Sequence, residues 1–113
     1  MVDDWKSVLN LSTMWEFSTL RDLSIEYLGK PGMLDPVSKM LLGMKYHITH
    51  WLISGCDQLL NRTEGPRAEE AEQLGTVVTI KIYDLREVRI AARLRGYNFD
   101  PSKAIQAAFK DYL

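Results

Sequence analysis

The sequence predicts an all-α protein on the basis of three observations. Apolar residues recur at intervals of three and four along most of the chain, which is the helical period. Helix-start and helix-stop signals, two Asp-Pro pairs and several glycines, separate these apolar stretches. The one β-branched stretch, 77–83, has no second strand to pair with, and an isolated strand is not stable. We therefore expect about six helices in a single compact domain, residues 1–113.

The N-terminal segment predicts two helices. An acidic pair at positions 3–4 can cap the first helix, in which apolar residues from Trp5 to Trp15 follow at about the helical spacing. Ser18 is the N-cap candidate of the second helix, and Gly29 stands where a left-handed C-cap belongs. We expect Trp15 to be buried between these two helices and the apolar stripe of the third.

The next two helices begin at polar caps. Asp35 and Pro36 start the third helix, with an acidic N-cap and a proline at the first helical position. Gly43 weakens this helix by about 1 kcal/mol relative to alanine, so we expect a close packing contact there. Thr49 is the N-cap candidate of the fourth helix, and Cys56 belongs to its apolar face.

A loop at 61–66 precedes a short helix over 67–74 that Gly75 closes. The glutamates in and beside the first turn of this helix complement the helix dipole, and we interpret them as a solvated face rather than as a metal-binding or catalytic pair. They are Glu69, Glu70 and Glu72.

Local composition leaves 77–83 ambiguous between strand and helix. The continuation of the apolar pattern to Arg95 favours one long helix over 77–95, which Gly96 ends, and a second Asp-Pro pair at 100–101 starts the last helix. The residues that we expect to share one face of the long helix are Ile80, Tyr83, Asp84, Val88, Ala91 and Ala92.

Composition and charge exclude several classes of function. The formal net charge is −1, so bulk charge gives no argument for nucleic acid or membrane binding. The charge is divided, −4 over residues 1–76 and +3 over residues 77–113. One cysteine permits no internal disulfide, and neither a signal peptide nor an apolar run of about 18–20 residues is present. We predict a cytoplasmic or nuclear protein without membrane contact.

No residue pattern predicts catalysis. His47, His50 and Cys56 lack the fourth ligand and the spacing of a zinc site. A nucleophilic Cys56 would need a base and an activating field, whereas its place on an apolar face predicts burial. We predict no catalytic residue, no metal and no cofactor. An alternative is a small enzyme with an interhelical pocket, for which these three residues and Tyr46 are the only candidates.

Two groups of residues are candidates for partner binding. Aromatic side chains crowd the N-terminal helices, where they form either core or a surface for another protein. Three arginines at 86, 89 and 93 form a basic stripe, either a solvated face or a site for an acidic partner or phosphate backbone. The candidate partner-binding residues are Trp5, Trp15, Phe17, Arg86, Arg89 and Arg93. A nucleic-acid-associated domain that uses the stripe is an alternative, and we consider it the less favoured one.

The run from Trp5 to Ile25, WKSVLNLSTMWEFSTLRDLSI, resembles the last helical pair of a BTB/POZ domain. The segments LDPVSK (34–39), KYHITHWL (45–52) and AEQLG (71–75) are similar to the region that follows it in fungal BTB/POZ-type proteins, the BACK-like region. The resemblance covers about residues 2–95 and includes no catalytic motif.

The resemblance implies a stack of helical hairpins that acts as a protein-interaction or adaptor module without catalytic activity. Such regions can place substrates on a cullin-family ubiquitin ligase, so the implied partner is another protein, with a ubiquitin-ligase component as one candidate. The β-sheet and dimerisation part of a BTB domain would precede residue 1. The resemblance therefore implies neither self-association through the BTB dimer interface nor cullin docking by the BTB sheet.

Overall fold

The computed structural model describes residues 2–112, which contain seven α-helices, one 3₁₀ helix and no strand. The all-α class is confirmed, with seven α-helices where about six were expected. Their bounds are α1 Val2–Met14, α2 Ser18–Leu28, α3 Pro36–Tyr46, α4 Thr49–Asn61, α5 Ala68–Leu74, α6 Thr76–Arg95 and α7 Pro101–Ala108, and the 3₁₀ helix is Lys110–Tyr112.

Backbone contacts divide the chain into two units, Met1–Asp35 and Pro36–Leu113. The first unit holds α1 and α2, and the second holds the remaining helices. A single domain over residues 1–113 stays a prediction.

In the first unit, α1 and α2 pack against each other. The chain reverses after α1 through Glu16, whose φ of 57° is left-handed, and the Phe17 amide donates to the Ser12 carbonyl at 2.8 Å. The Trp5 ring near the start of α1 stacks on the Tyr27 ring near the end of α2, with centroids 4.9 Å apart. The two helices therefore run in opposite directions as a hairpin.

The expected caps differ in detail from the observed ones. Ser18 and Thr49 are the first residues of α2 and α4, and neither helix has a side-chain cap. Gly29 is right-handed, with φ −77°, because its amide still donates to the Ile25 carbonyl. The left-handed position falls later, at Gly32, where φ is 83°. The prediction of a left-handed Gly29 is therefore wrong.

Two glycines allow α3 and α4 to approach closely in the second unit. A Cβ atom on Gly43 would lie 2.7 Å from the backbone nitrogen of Leu52, and one on Gly55 would lie 2.7 Å from the carbonyl oxygen of Pro36. Each glycine thus lies against the backbone of the facing helix. The close contact predicted at Gly43 is confirmed.

The core of the second unit forms around the inner face of α4, to which α3, α6 and α7 contribute. Cys56 is fully buried in it, as expected. Its buried members from the other helices include Val37 and Met40 of α3, Val78, Ile82 and Leu85 of α6, and Ile105 of α7, and Phe109 follows α7.

The long helix α6 confirms the helical interpretation of 77–95, but the expected shared face is not its buried face. Val78, Ile82 and Leu85 are buried, whereas Ile80, Tyr83 and Val88 are exposed. Both sets satisfy the helical period, and the sequence pattern alone did not choose between them. A left-handed Gly96 ends α6, and Asp100 caps α7 by accepting from the Lys103 amide at 3.2 Å.

Candidate interaction site

A row of exposed residues runs along α6, and four of its five members are apolar. Ile80 is 53% exposed, Ile90 56% and Leu94 82%, and Tyr83 and Glu87 complete the row. We call residues 80, 83, 87, 90 and 94 the α6 outer face. Their spacing of three, four, three and four is the heptad pattern by which one helix packs lengthwise on another.

Tyr83 fixes part of this face to the loop before α5. Its hydroxyl donates to the Pro66 carbonyl at 2.7 Å, and its ring lies on Gly65, where a Cβ atom would collide with it. The ring is 45% exposed, so it remains part of the surface. The middle of the outer face is therefore held in place by contacts within the second unit.

Arg86 lies on the flank of α6 and caps the C-terminus of α4. Its Nη1 donates to the carbonyls of Leu59 at 2.7 Å and Arg62 at 2.9 Å, and Nη2 donates to Thr63 at 3.1 Å. The last carbonyls of a helix have no partner within the helix and carry partial negative charge, which a cation complements. The predicted partner-binding role of Arg86 stays a prediction, and the structure adds this capping role.

Arg89 and Arg93 continue the basic stripe. Arg89 Nη1 donates to the Leu60 carbonyl at 2.6 Å, while Arg93 is exposed and its side chain makes no hydrogen bond within residues 2–112. Together with Arg62 and Arg86 they line a cavity of about 400 Å³, which Ile90 also borders. We call this cavity the arginine pocket. The pocket joins the basic stripe to the α6 outer face, because Ile90 borders the pocket and belongs to that face.

One guanidinium group of this pocket, that of Arg62, is bonded to a carboxylate. Arg62 donates to Glu70 through Nη1 at 2.9 Å and Nη2 at 2.7 Å. The hydrogen bond from Arg62 lowers the pKa of Glu70 from 4.5 to about 2, and the Arg67 amide, 2.9 Å from the carboxylate, adds to this. Glu70 is 8% exposed. The interpretation of Glu70 as part of a solvated face is therefore wrong, because the carboxylate ties α5 to the end of α4.

The aromatic candidates of the first unit lie in two places. Trp15 is 66% exposed and Phe17 57% exposed, both at the turn between α1 and α2, with Met14 exposed beside them. Trp5 instead stacks on Tyr27 at the other end of the hairpin. The expectation that Trp15 is buried is wrong, because it follows the last residue of α1, where its ring projects from the turn.

The residues considered for a small enzyme differ in their exposure. Burial raises the pKa of the Cys56 thiol to about 12, and His47 and His50 are exposed. His50 borders a cavity of about 560 Å³ that Asp57 and Asp100 also line, and Cys56 does not. Within residues 2–112 no cluster of three potential metal ligands is present, and no helix is long and apolar enough to cross a membrane.

Comparison with known proteins finds no matching family model, no matching curated protein and no matching solved structure.

Sequence reasoning missed the α6 outer face, although its signal is in the sequence. Ile80, Tyr83, Ile90 and Leu94 are spaced like a coiled-coil seam, but a second apolar row, Val78, Ile82 and Leu85, runs along the same helix. A helix with two apolar rows buries one in its own core and presents the other outward. Two apolar rows on one helix therefore predict an exposed interaction surface, which a single apolar row does not.

Proposed function

We propose that this chain is a protein-interaction module without catalytic activity, and that its α6 outer face binds an amphipathic helix of another protein. The observation that carries the proposal is the exposed heptad row on a helix whose opposite face is anchored in the core. Large apolar side chains scattered singly are ordinary on protein surfaces, whereas several of them aligned on one helix face are typical of an interaction site.

The anchoring of α6 supports a preorganised surface. Tyr83 bonds to Pro66, Arg86 caps α4, and Ile82 is fully buried, so the helix does not need to fold when the partner arrives. A rigid surface loses little conformational entropy on binding, which favours affinity. Glu87 in the middle of the row supports a defined register, because a polar residue in an apolar seam penalises misaligned pairings.

The resemblance to BTB-associated helical regions supports the same class of function, and an adaptor in the cytoplasm or nucleus is part of the proposal. A ubiquitin-ligase component is one candidate partner that the resemblance suggests. The exposed Trp15 and Phe17 supply a second candidate contact surface on the first unit, since exposed aromatic residues are frequent hot spots of interfaces.

A pair of matched variants tests the proposal. A photoreactive benzoylphenylalanine replaces Leu94 on the outer face, and in a control chain it replaces Val88, which is 54% exposed on another side of α6. We expect the Leu94 chain to cross-link in cell extract to one protein, at a peptide with apolar residues at heptad spacing. The Ile90→Ser, Leu94→Ser double variant should lose that partner.

The proposal fails if the double variant folds and retains every partner of the wild-type chain, or if cross-links from positions 94 and 88 are the same. Circular dichroism of each variant verifies that the helices are intact. Sedimentation of the purified chain tests whether the partner is a second copy of the same chain. Self-association through the outer face would contradict the proposal that the partner is another protein.

A further inference from the structure

The arginine pocket brings four guanidinium groups together, and a carboxylate is bonded to one of them. Glu70 pairs with Arg62, and within residues 2–112 neither Arg86, Arg89 nor Arg93 forms an ion pair. Two further carboxylates lie nearby without bonding: Glu64 acts on Arg62 through space, and Asp57 lines the adjoining cavity with Arg89 and Arg93. The pocket therefore keeps an excess of positive charge.

These arginines also keep unused hydrogen-bond donors. A guanidinium group has five N–H donors, and Arg89 uses one nitrogen, Nη1, for the Leu60 carbonyl. Arg93 uses none within the described chain. The carbonyls that Arg86 and Arg89 bind carry only the partial negative charge of the α4 C-terminus. These bonds therefore fix the guanidinium groups in place and leave part of their positive charge uncompensated. Carbonyls at the end of α4 thus position Arg86 and Arg89, whereas Glu70 positions Arg62.

We propose that the arginine pocket binds a phosphoryl group carried by a segment of the partner protein, whose apolar residues lie along the α6 outer face. This inference rests on the proposed function. A phosphoryl group brings nearly two negative charges and three acceptor oxygens, which suit several guanidinium groups better than a single carboxylate does. Ile90 borders the pocket and belongs to the outer face, so one segment reaches both.

The observations favour a protein segment over a nucleic acid. Nucleic acid binding uses an extended basic path that contacts several successive phosphates. Here the basic residues converge on one cavity of about 400 Å³, and the neighbouring surface of α6 is apolar, with Leu94 and Ile80 82% and 53% exposed. One phosphoryl group beside apolar side chains is what this surface fits.

The test uses the full ¹⁵N-labelled chain and follows the arginine Nε–Hε and α6 amide signals by NMR. The probes are N-acetyl-O-phosphoserine amide, N-acetylglutamate amide, inorganic phosphate and a single-stranded oligonucleotide. We expect the phosphoserine probe to shift the signals of residues 86–93 and to bind about tenfold more tightly than the glutamate probe. Arg93→Gln should weaken binding of the phosphoserine probe about tenfold, because it removes a guanidinium group whose donors are all available to the phosphoryl oxygens. The side chain makes no hydrogen bond within residues 2–112, so the substitution should leave the fold intact.

Arg95→Gln is the matched control, since it removes one charge from the same helix outside the pocket. Equal binding of the phosphoserine and glutamate probes, or equal loss in both variants, overturns the proposal. If inorganic phosphate binds and the phosphoserine probe does not, the pocket is a site for free phosphate. If the oligonucleotide binds through residues 86–95 more tightly than the phosphoserine probe, the pocket is a nucleic-acid site. Both results overturn it. The Ile80→Ser, Leu94→Ser variant changes two exposed residues of the outer face that do not line the pocket, and it should keep the phosphoserine shifts. Failure here is therefore separable from failure of the proposed function.

Discussion

Arg62 binds Glu70 through both terminal guanidinium nitrogens, at 2.9 and 2.7 Å, and so joins the end of α4 to the first turn of α5. The carboxylate also accepts from the Arg67 amide, which has no partner within α5. Glu70 therefore stabilises two elements at once, and this pair has a direct consequence for acid stability.

We expect the stability that Glu70 contributes to be complete above pH 4.5 and to be lost as the pH falls toward 2. The pKa of its carboxyl is lowered from 4.5 to about 2 in the folded chain, so folding favours the ionised form. Urea unfolding between pH 7 and 2 should therefore show a steeper acid loss for the wild type than for Glu70→Gln. At pH 7 the variant should lose about 1.5–3 kcal/mol of unfolding free energy. Exposed Glu72→Gln is the control, and an identical acid profile of wild type and Glu70→Gln would contradict the assignment.

Gly43→Ala should destabilise the chain, although alanine favours helix by about 1 kcal/mol. Its Cβ atom would lie 2.7 Å from the Leu52 nitrogen and 3.0 Å from the Ile48 carbonyl oxygen, and both are backbone atoms that cannot rotate away. We expect a net loss of about 1–3 kcal/mol in urea unfolding, as for other overpacked interiors. Gly55→Ala should behave similarly, since it meets the Pro36 carbonyl. Stabilisation by Gly43→Ala would show that α3 and α4 separate easily.

The two tryptophans Trp15 and Trp51 should respond in opposite ways to truncation. Trp51 is 1% exposed, and its replacement by alanine should cost about 3–5 kcal/mol. Trp15 is 66% exposed, and Trp15→Ala should cost less than about 1 kcal/mol. Urea titration of the two variants measures both values. If the Trp15→Ala variant keeps its stability but loses a partner that the wild type binds, Trp15 is a contact residue. If the variant unfolds, the exposed position of Trp15 is contradicted.

The sequence predicted the helices because their signals are local. The Asp-Pro pair before α3 and Gly96 after α6 act through backbone geometry, which neighbouring residues determine. Gly43 could be assigned a packing role because a glycine inside a helix is unfavourable unless something requires it.

The sequence did not predict which residues meet across helices. The sequence alone indicates a solvated acid in the first turn for Glu70, whereas the structure places its carboxylate on Arg62. The sequence pattern indicates a core position for Ile80, whereas the structure buries Ile82 instead. The sequence alone indicates a surface cation at Arg86, although its partners are carbonyls 23 to 27 residues earlier. Such contacts depend on how helices pack, and no periodicity within one helix encodes them.

Cys56 should be almost inert in the folded chain. The thiol is fully buried and its pKa is raised to about 12, mainly by burial, so the reactive thiolate is scarce at neutral pH. A thiol reagent such as dithionitrobenzoate should label the native chain far more slowly than the chain in urea, with a rate that follows unfolding. Labelling of the native chain at the rate of a free cysteine peptide would contradict its burial.

Arg86→Gln should destabilise the chain more than any other removal of a single positive charge from α6. The guanidinium group satisfies the carbonyls of Leu59 and Arg62, and its charge complements the negative end of the α4 dipole. Glutamine is too short to reproduce the fork and has no charge, so we expect a loss of about 1–3 kcal/mol in urea unfolding. Arg86→Lys keeps the charge but presents one nitrogen, and should fall between wild type and Arg86→Gln.

Arg95→Gln removes the same charge from the last turn of α6 and should change stability by less than about 0.5 kcal/mol. Amide exchange adds a local measurement, because loss of the cap should accelerate exchange in the last turn of α4 before it affects α3. If charge alone were responsible, Arg86→Gln and Arg95→Gln would lose the same unfolding free energy, and the loss would disappear at high salt. A difference that persists in salt is what hydrogen bonds from a half-buried guanidinium group to fixed carbonyls require.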